Sequence, residues 1–318
     1  MKKLIIWTFI LGVIGYGAAK WYVHSEVSNA MDTGVLMVSP YATIEYEGIS
    51  STMSGKLTVD GVRIRLNGYA DDLYIDSVGI NTPSFLSLLN LDELLVQMST
   101  GGDDMPDYIG LMVEGVGMPV TADYYRSVYS LAQGALDAPD RAADAARCTG
   151  KYGFAPEALT AMGYEEQVAS ASVTLRNDDA QFVVDVDSNI VDMWDFNASI
   201  TLAGKLFTGG MPTQPRLANL WIEFTDRSLN ERVRNYCQQL GLSDDEALQA
   251  QLDAFGYMGE QNGIVFDAMI MEPYREFLSG KPTFIISAQP TEPVNLSQIG
   301  LYKPSDVPAL LNLSATAR

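Results

Sequence analysis

Hydrophobic and polar residues alternate along several segments of the chain, as they do in strands with one buried face. Two segments resemble each other: LTVDGVRI at 57–64 and LYIDSVGI at 73–80 both fit Leu-x-(Val/Ile)-Asp-x-Val-x-Ile. Their apolar residues are spaced by 2, 3 and 2 positions, so a strict strand would put the second pair on the opposite face. A β-bulge at the Asp-Gly or Asp-Ser step explains the spacing, and so does a turn at that dipeptide.

Other segments complete a strand-rich pattern. Alternation or apolar runs predict strands at 34–49, 107–118, 194–204, 215–226, 282–290 and 310–318, with a hairpin at 170–189. Helical spacing predicts helices at 83–98, 121–147, 228–241, 243–258 and 270–279, with an exposed loop at 101–107. Ser228 with Glu231, and Ser243 with Glu246, have the spacing of capping boxes. This order predicts an α+β fold with a mostly antiparallel, meandering β-sheet and packed helices.

The N-terminal stretch MKKLIIWTFILGVIGYGAAKWYVHSE allows two interpretations. Lys2 and Lys3 precede an uncharged run at 4–19, which is short for a bilayer span of about 20 residues and fits a signal-peptide core. Gly17 and Ala19 would then flank the cleavage site.

In the second and favoured interpretation, the stretch is a retained membrane anchor. Lys20 snorkels, the span extends to Val23, and aromatic side chains lie at the membrane interface. The predicted anchor residues are Leu4, Trp7, Ile10, Val13, Trp21 and Tyr22. The chain then divides into an anchor at 1–25 and a β-rich domain at 26–318, which we consider divisible into lobes at about 26–147 and 148–318.

Charge sets the expected orientation and excludes one class of partner. The formal net charge is −20, and the first 25 residues contain three basic groups and no acidic one. The basic N-terminus favours the cytoplasmic side, which predicts a single-pass inner-membrane protein with most of the chain in the periplasm. The acidic remainder would repel phosphate, so nucleic acid is excluded as a partner.

Cys148 and Cys237 agree with export to an oxidising compartment. An even number of cysteines in an exported chain favours a single disulfide, which would close a loop of about 90 residues. Two separate buried thiols are the alternative. The chain has no C-x-x-C pair, so thiol-redox chemistry is not expected.

Residue patterns for catalysis are scarce. The single histidine, His24, lies in the N-terminal stretch, which excludes a Ser-His-Asp triad in the domain. The cluster DVDSNIVDMWD begins like a calcium loop but has Ile190 where glycine is needed and Phe196 where the closing glutamate belongs. Its polar side chains are Asp185, Asp187, Asn189, Asp192 and Asp195. We interpret it as a strand with Val184 and Val186 facing inward, and predict no metal, no cofactor and no enzyme activity.

The phrases YEGIS…SGKLTVDGVRI, TDRSLNERV and GKPTFIISAQP, together with the N-terminal stretch, resemble a class of Gram-negative envelope proteins. This class includes AsmA-like proteins and the YdgA-type family. The resemblance implies a periplasmic location on the inner membrane. For AsmA-like members it also implies an elongated β groove with an apolar lining that carries lipid acyl chains.

Three functions remain open from the sequence. The first is lipid handling or lipid sensing in the cell envelope, with phospholipid bound against an apolar sheet face. The second is a non-catalytic scaffold or assembly factor that binds an envelope protein. The third is an enzyme that uses carboxylates. For the first function, the predicted groove residues are Leu57, Val59, Val62, Ile64, Leu73, Ile75, Val78 and Ile80.

Overall fold

A computed structural model builds the chain around one large antiparallel sheet with helices packed on it. It describes residues 2–89, 107–127, 148, 154–178, 181–204, 207–208, 211–212, 214, 216–261 and 263–318. Most of the predicted loop at 101–107 and of the predicted helices at 83–98 and 121–147 lies outside these residues.

The described residues contain fourteen strands, twelve in the large sheet and two in a separate hairpin. The strands are β1 (Ala42–Glu45), β2 (Gly48–Ser51), β3 (Lys56–Leu66), β4 (Asp72–Asn81), β5 (Tyr108–Pro119), β6 (Glu166–Asp178), β7 (Gln181–Ile190), β8 (Trp194–Ala203), β9 (Phe207–Thr208), β10 (Met211–Pro212), β11 (Arg216–Asp226), β12 (Thr283–Ala288), β13 (Val294–Asn295) and β14 (Leu313–Ala317). Their order is β1-β3-β4-β5-β6-β7-β8-β11-β12-β14, with β2 also on β3, β13 also on β11, and β9–β10 as a separate hairpin. Strands that follow one another in the chain mostly pair as neighbours, even where helical segments separate them in sequence, as between β11 and β12.

Helices precede, interrupt and follow this meander. They are α1 (Lys2–Val38), α2 (Phe85–Leu89), α3 (Pro156–Ala161), α4 (Leu229–Gln239), α5 (Asp244–Gln261), α6 (Ala268–Leu278) and α7 (Val307–Leu310), with a 3₁₀ helix at Leu296–Leu301. The capping box predicted for α5 is confirmed. The Ser243 backbone N–H donates to Glu246 at 2.8 Å, and the Glu246 N–H donates to the Ser243 hydroxyl at 3.3 Å.

The anchored fold predicted from the sequence is wrong at its N-terminus. Helix α1 runs through the expected boundary at residue 25 and ends at Val38. In the part of the chain that the structure describes, no helix has both the length and the apolar character needed to cross a bilayer. From Tyr16 onward, one apolar side of α1, formed by Tyr16, Ala19, Val23 and Val27, packs against protein.

The residues assigned to the anchor illustrate this correction. Trp21 and Tyr22, placed at a membrane interface by the sequence, are exposed side chains next to the buried Val23. The side chains of Leu4, Trp7, Ile10 and Val13 lie outside the described part of the structure.

The sheet continues across the proposed lobe boundary at 147/148. Strands β5 and β6 pair from Tyr108↔Arg176 to Pro119↔Glu166, one on each side of it in the sequence. The division into two lobes therefore stays a prediction about the chain, and the sheet itself has no break there.

One face of this sheet is apolar across nearly its full width. Directly paired residues of neighbouring strands lie on the same face, so a chain of pairs marks that face across the sheet. One such row is Val59, Val78, Val113, Ala171, Ser188, Phe196, Phe224, Phe284 and Ala317. Helix α1 packs on this face at one end through Leu57, and α6 packs on it at the other end through Phe277.

The predicted disulfide is present between Cys148 and Cys237. Both sulfur-bearing residues are fully buried, in a cluster with Leu159 of α3 and Val233 of α4. The bond joins two positions 89 residues apart in the chain.

Candidate functional site

A wide apolar trough lies between α1 and strands β3 to β6. Its volume is about 600 Å³, within the range of roughly 300–1,000 Å³ that ligand sites occupy. The lining residues are Val27, Ala30, Met31, Leu57, Thr58, Val59, Val78, Gly79, Ile80, Leu111, Met112, Val113, Ala171, Ser172 and Val173.

Strand register creates the floor of the trough. Leu57 pairs with Ile80, Ile80 with Leu111, and Leu111 with Val173, so these four side chains form one row. The row that starts at Val59 runs beside it, because residues two apart on a strand share a face. The two rows give the floor a continuous aliphatic surface four strands wide.

Helix α1 forms the wall. Tyr16, Ala19, Val23 and Val27 recur at spacings of three and four, which places them on one side of a helix. Val23 is 2% exposed and packs with Leu57, Phe85 and Leu88. Val27, Ala30 and Met31, about one to two turns further on, line the trough.

Polar contacts hold α1 against β2 beside the trough. Lys20 donates to the carbonyl of Ser51 at 3.2 Å, and the His24 imidazole Nε2 lies 2.9 Å from the Ser51 hydroxyl. Burial first, and then the neighbouring Lys20, lower the pKa of His24 below its ordinary value. The neutral ring is therefore the form that bridges to Ser51 near pH 7. Farther along, Ser28 lies 3.2 Å from the hydroxyl of Tyr46.

The trough is open and carries no charge. Val78 and Leu111, on its floor, are 40% and 47% exposed although both are large apolar residues. Among the lining residues, only Thr58 and Ser172 have polar side chains. Contiguous exposed apolar surface of this kind marks binding sites more often than ordinary surface.

The backbone of the floor offers little to a hydrogen-bonding ligand. Strands β3, β4, β5 and β6 are each paired on both sides, so their amide and carbonyl groups are engaged within the sheet. The arrangement therefore has the chemistry to hold hydrocarbon.

The structure brings four of the eight predicted groove residues together. Leu57, Val59, Val78 and Ile80 all line the trough. The other four pair with each other on β3 and β4, as Val62↔Ile75 and Ile64↔Leu73, and lie outside its lining.

The change between the two sets occurs at Gly61, which has a φ of +63°. The pairs Asp60↔Ser77 and Val62↔Ile75 keep one register across it, so β3 gains no extra residue relative to β4. Register shifts are found instead between β5 and β6, at Val113 to Val116, and between β8 and β11, at Leu217 to Asn219. The predicted bulge in the Asp-Gly and Asp-Ser steps is therefore wrong, and the predicted turn there is also wrong because both strands continue.

Sequence reasoning missed the contributions of α1, β5 and β6. The alternation of Ile109, Leu111 and Val113 was a usable signal for the floor. The helical spacing of Val23, Val27 and Ala30 was a signal for the wall, but these residues were interpreted as lying at or beyond the end of a membrane anchor. No single strand shows which neighbours will extend its apolar face.

Two aspartates of the acidic cluster on β7 and β8 form ion pairs. Asp185 accepts from Arg176 and Ser199, and Asp195 pairs with Arg227. Within the described residues, no group of three or more candidate ligands could hold a metal ion. Asp187 is exposed on its strand, as expected for a solvated face.

Comparison with known proteins identifies a family to which the chain belongs. No curated protein matches the chain. A family model described as "Uncharacterized protein" matches residues 130–318, which is more than half of the chain and includes β6 to β14. This match carries no link to the AsmA-like proteins that the sequence resembles. The chain belongs to the family that bears this description.

Proposed function

We propose that the protein binds lipid acyl chains in the trough between α1 and strands β3 to β6, and so handles or senses lipid in the cell envelope. The observation that carries this proposal is an open, uncharged, aliphatic cavity of about 600 Å³. Each methylene group moved from water onto such a lining contributes about 0.8 kcal/mol.

An acyl chain matches the lining better than a polypeptide in extended form. A peptide would bring its own amide groups to a surface whose strands are already paired on both sides, and unpaired amide groups are costly away from water. An acyl chain carries no hydrogen-bonding group along its length. The lining contains no aromatic ring and several flexible or branched aliphatic side chains, which suits a flexible chain.

Because the protein is acidic, we expect it to bind the acyl chain of the ligand and not a charged headgroup. The net charge of −20 disfavours a broad electrostatic contact with anionic headgroups. Binding should therefore depend little on salt, since no charged side chain lines the trough.

The disulfide supports a location outside the cytoplasm. Structural disulfides persist in oxidising compartments such as the periplasm, and both cysteines here are fully buried. The resemblance of several segments of the chain to envelope proteins points the same way.

Native mass spectrometry of the full chain, purified from cell envelopes in gentle detergent and followed by lipid extraction, tests the proposal. We expect a stoichiometric phospholipid or fatty acid on the wild type. Val78→Asp should reduce its occupancy at least tenfold, because a carboxylate on the floor would have to be buried unpaired under the chain.

Val191→Asp is the matched control. Val191 is also an exposed valine, at the β7–β8 turn and outside the trough, so this variant should retain the lipid. A lipid-free wild type, or equal occupancy in Val78→Asp and wild type, would contradict lipid binding and favour the scaffold function.

A further inference from the structure

A second cavity lies on the same face of the sheet, at its other end. It has a volume of about 350 Å³ and lies between strands β8, β11 and β12 and helices α4, α5 and α6. It shares no lining residue with the trough. The whole cavity falls inside the region matched by the family model.

Aromatic rings dominate this second cavity, in contrast to the aliphatic trough. Three rings come from the sheet, three from the helices and one from the segment that precedes α3. They are Phe196, Phe224, Phe284, Phe255, Tyr274, Phe277 and Phe154. Aromatic pairs gain energy from edge-to-face and offset-stacked contacts beyond what their buried area provides. Such a lining favours a planar ring over a flexible chain.

Tyr274 contributes a hydroxyl to this largely apolar lining, whose other polar side chains are Asn230 and Gln251. Its ring lies 4.1 Å from the ring of Phe255 and 5.2 Å from that of Phe284, measured between centroids. Among the residues that the structure describes, none hydrogen-bonds to its hydroxyl. Burial raises the pKa of Tyr274 to about 12, so the hydroxyl keeps its proton at physiological pH.

Two other tyrosines of the described chain have hydrogen-bond partners, whereas the buried hydroxyl of Tyr124 has none there either. The Tyr108 hydroxyl donates to the Thr82 carbonyl at 2.9 Å, and the Tyr164 hydroxyl lies 3.2 Å from the Ser228 hydroxyl. Buried phenol groups normally find such partners. The Tyr274 hydroxyl is therefore a donor that faces a cavity and has no acceptor from the described residues.

A polar recess adjoins the aromatic cavity. It has a volume of about 200 Å³ and shares Asn230, Gln251 and Leu278 with the larger cavity. Arg234, Asp244 and Asp245 complete its polar side. Within the described residues, the Gln251 amide has no hydrogen-bond partner. The apolar cavity thus adjoins a recess with charged side chains.

We propose that the aromatic cavity is a second binding site, for a planar aromatic molecule that carries a carbonyl oxygen. The rings of the ligand contact the phenyl side chains, and the carbonyl accepts a hydrogen bond from the Tyr274 hydroxyl. Polar substituents of the ligand extend toward Gln251 and the recess. This site is independent of lipid binding in the trough.

Fluorescence titration of the full chain with prodan, a naphthalene probe with one ketone oxygen, tests this site. N-phenyl-1-naphthylamine, which has similar rings and no carbonyl, is the matched probe. Tyr274→Phe removes one oxygen and keeps the ring. It should weaken prodan binding about 2- to 10-fold, as expected for one lost hydrogen bond. The dissociation constant of N-phenyl-1-naphthylamine should stay unchanged.

Two further variants locate the binding. Ala254→Trp would fill the cavity from α5 and should abolish binding of both probes there. Val78→Asp, in the trough, should leave the prodan constant unchanged. The proposal is overturned if prodan does not bind at micromolar concentration, if Tyr274→Phe weakens both probes equally, or if Val78→Asp removes prodan binding.

Discussion

Gly55 turns the chain between β2 and β3 with a φ of +90°, a conformation that residues with a Cβ rarely adopt. Its carbonyl accepts from the Thr82 N–H at 3.0 Å and from the Thr82 hydroxyl at 3.1 Å. A Cβ at this position would overlap the Thr82 carbonyl oxygen and lie 2.8 Å from the Ser84 carbonyl carbon. This close contact between backbones fixes the segment at 82–85, so that Phe85 packs against Val23 of α1.

Gly55→Ala should lower the free energy of unfolding by about 2–3 kcal/mol, since it combines backbone strain with overlap against main-chain atoms that cannot move aside. Urea denaturation followed by circular dichroism measures the change. Gly68→Ala is the matched control, because Gly68 has a φ of +93° and open space around it. It should cost only about 1 kcal/mol. Equal losses in the two variants would show that the overlap at Gly55 is relieved.

Residue spacing predicted local contacts correctly only where no distant group competed. Ser243 forms its capping box, whereas Ser228, with the same spacing, makes no side-chain cap. Its hydroxyl donates to the carbonyl of Asp192 instead. At the N-terminus of α4, the Asp226 carboxylate accepts a hydrogen bond from the Asn230 N–H at 3.0 Å. The competing partners come from β7–β8 and β11, and local sequence contains no information about them.

Among the elements, α1 has the largest difference between expectation and structure. A helix with an apolar stripe is stabilised by any apolar surface that covers it, so lipid and sheet satisfy the same pattern. The stripe at Val23 and Val27 meets the sheet at Leu57. The helix then provides one wall of the trough, which makes its docking part of the proposed site.

Val23→Asp should release α1 from the sheet, because it places a carboxylate among Leu57, Phe85 and Leu88. We expect a local loss of about 2–4 kcal/mol and faster hydrogen exchange at residues 16–38. Lipid occupancy of the trough should fall as its wall is lost. Trp21→Asp is the control, since Trp21 is 72% exposed and should tolerate the charge. Unchanged exchange in Val23→Asp would mean that α1 is held by its polar contacts alone.

At the scale of the whole molecule, the disulfide joins two segments that are 89 residues apart in the sequence. Cys148 precedes α3 and Cys237 lies on α4, and both are buried in the cluster that contains Leu159 and Val233. Closing a loop of this length restricts the unfolded chain, with an effect of roughly 4 kcal/mol on the chain-entropy model.

The double variant Cys148→Ala/Cys237→Ala should therefore lose about 4 kcal/mol of unfolding free energy in urea under non-reducing conditions. Lipid occupancy of the trough should persist at denaturant concentrations where the variant is folded, because neither cysteine lines it. Added reductant should shift the wild-type midpoint and leave the variant unchanged. A variant within about 1 kcal/mol of wild type would show that the unfolded chain is little restricted by the bond.

The sequence by itself indicated strands at β3 and β4, from two similar apolar segments, and at β7, β8 and β11, from alternation typical of a sheet with one buried face. It also determined four residues of the trough floor and the pair of cysteines that bond. Only the tertiary structure decided which strands extend that floor, where the register shifts, and what covers α1. Burial of apolar surface is favourable whichever apolar partner supplies the cover, so a hydrophobic pattern specifies that a face leaves water without specifying its partner. The partner is selected by pairing between segments far apart in the chain, as when Leu111 of β5 meets Val173 of β6.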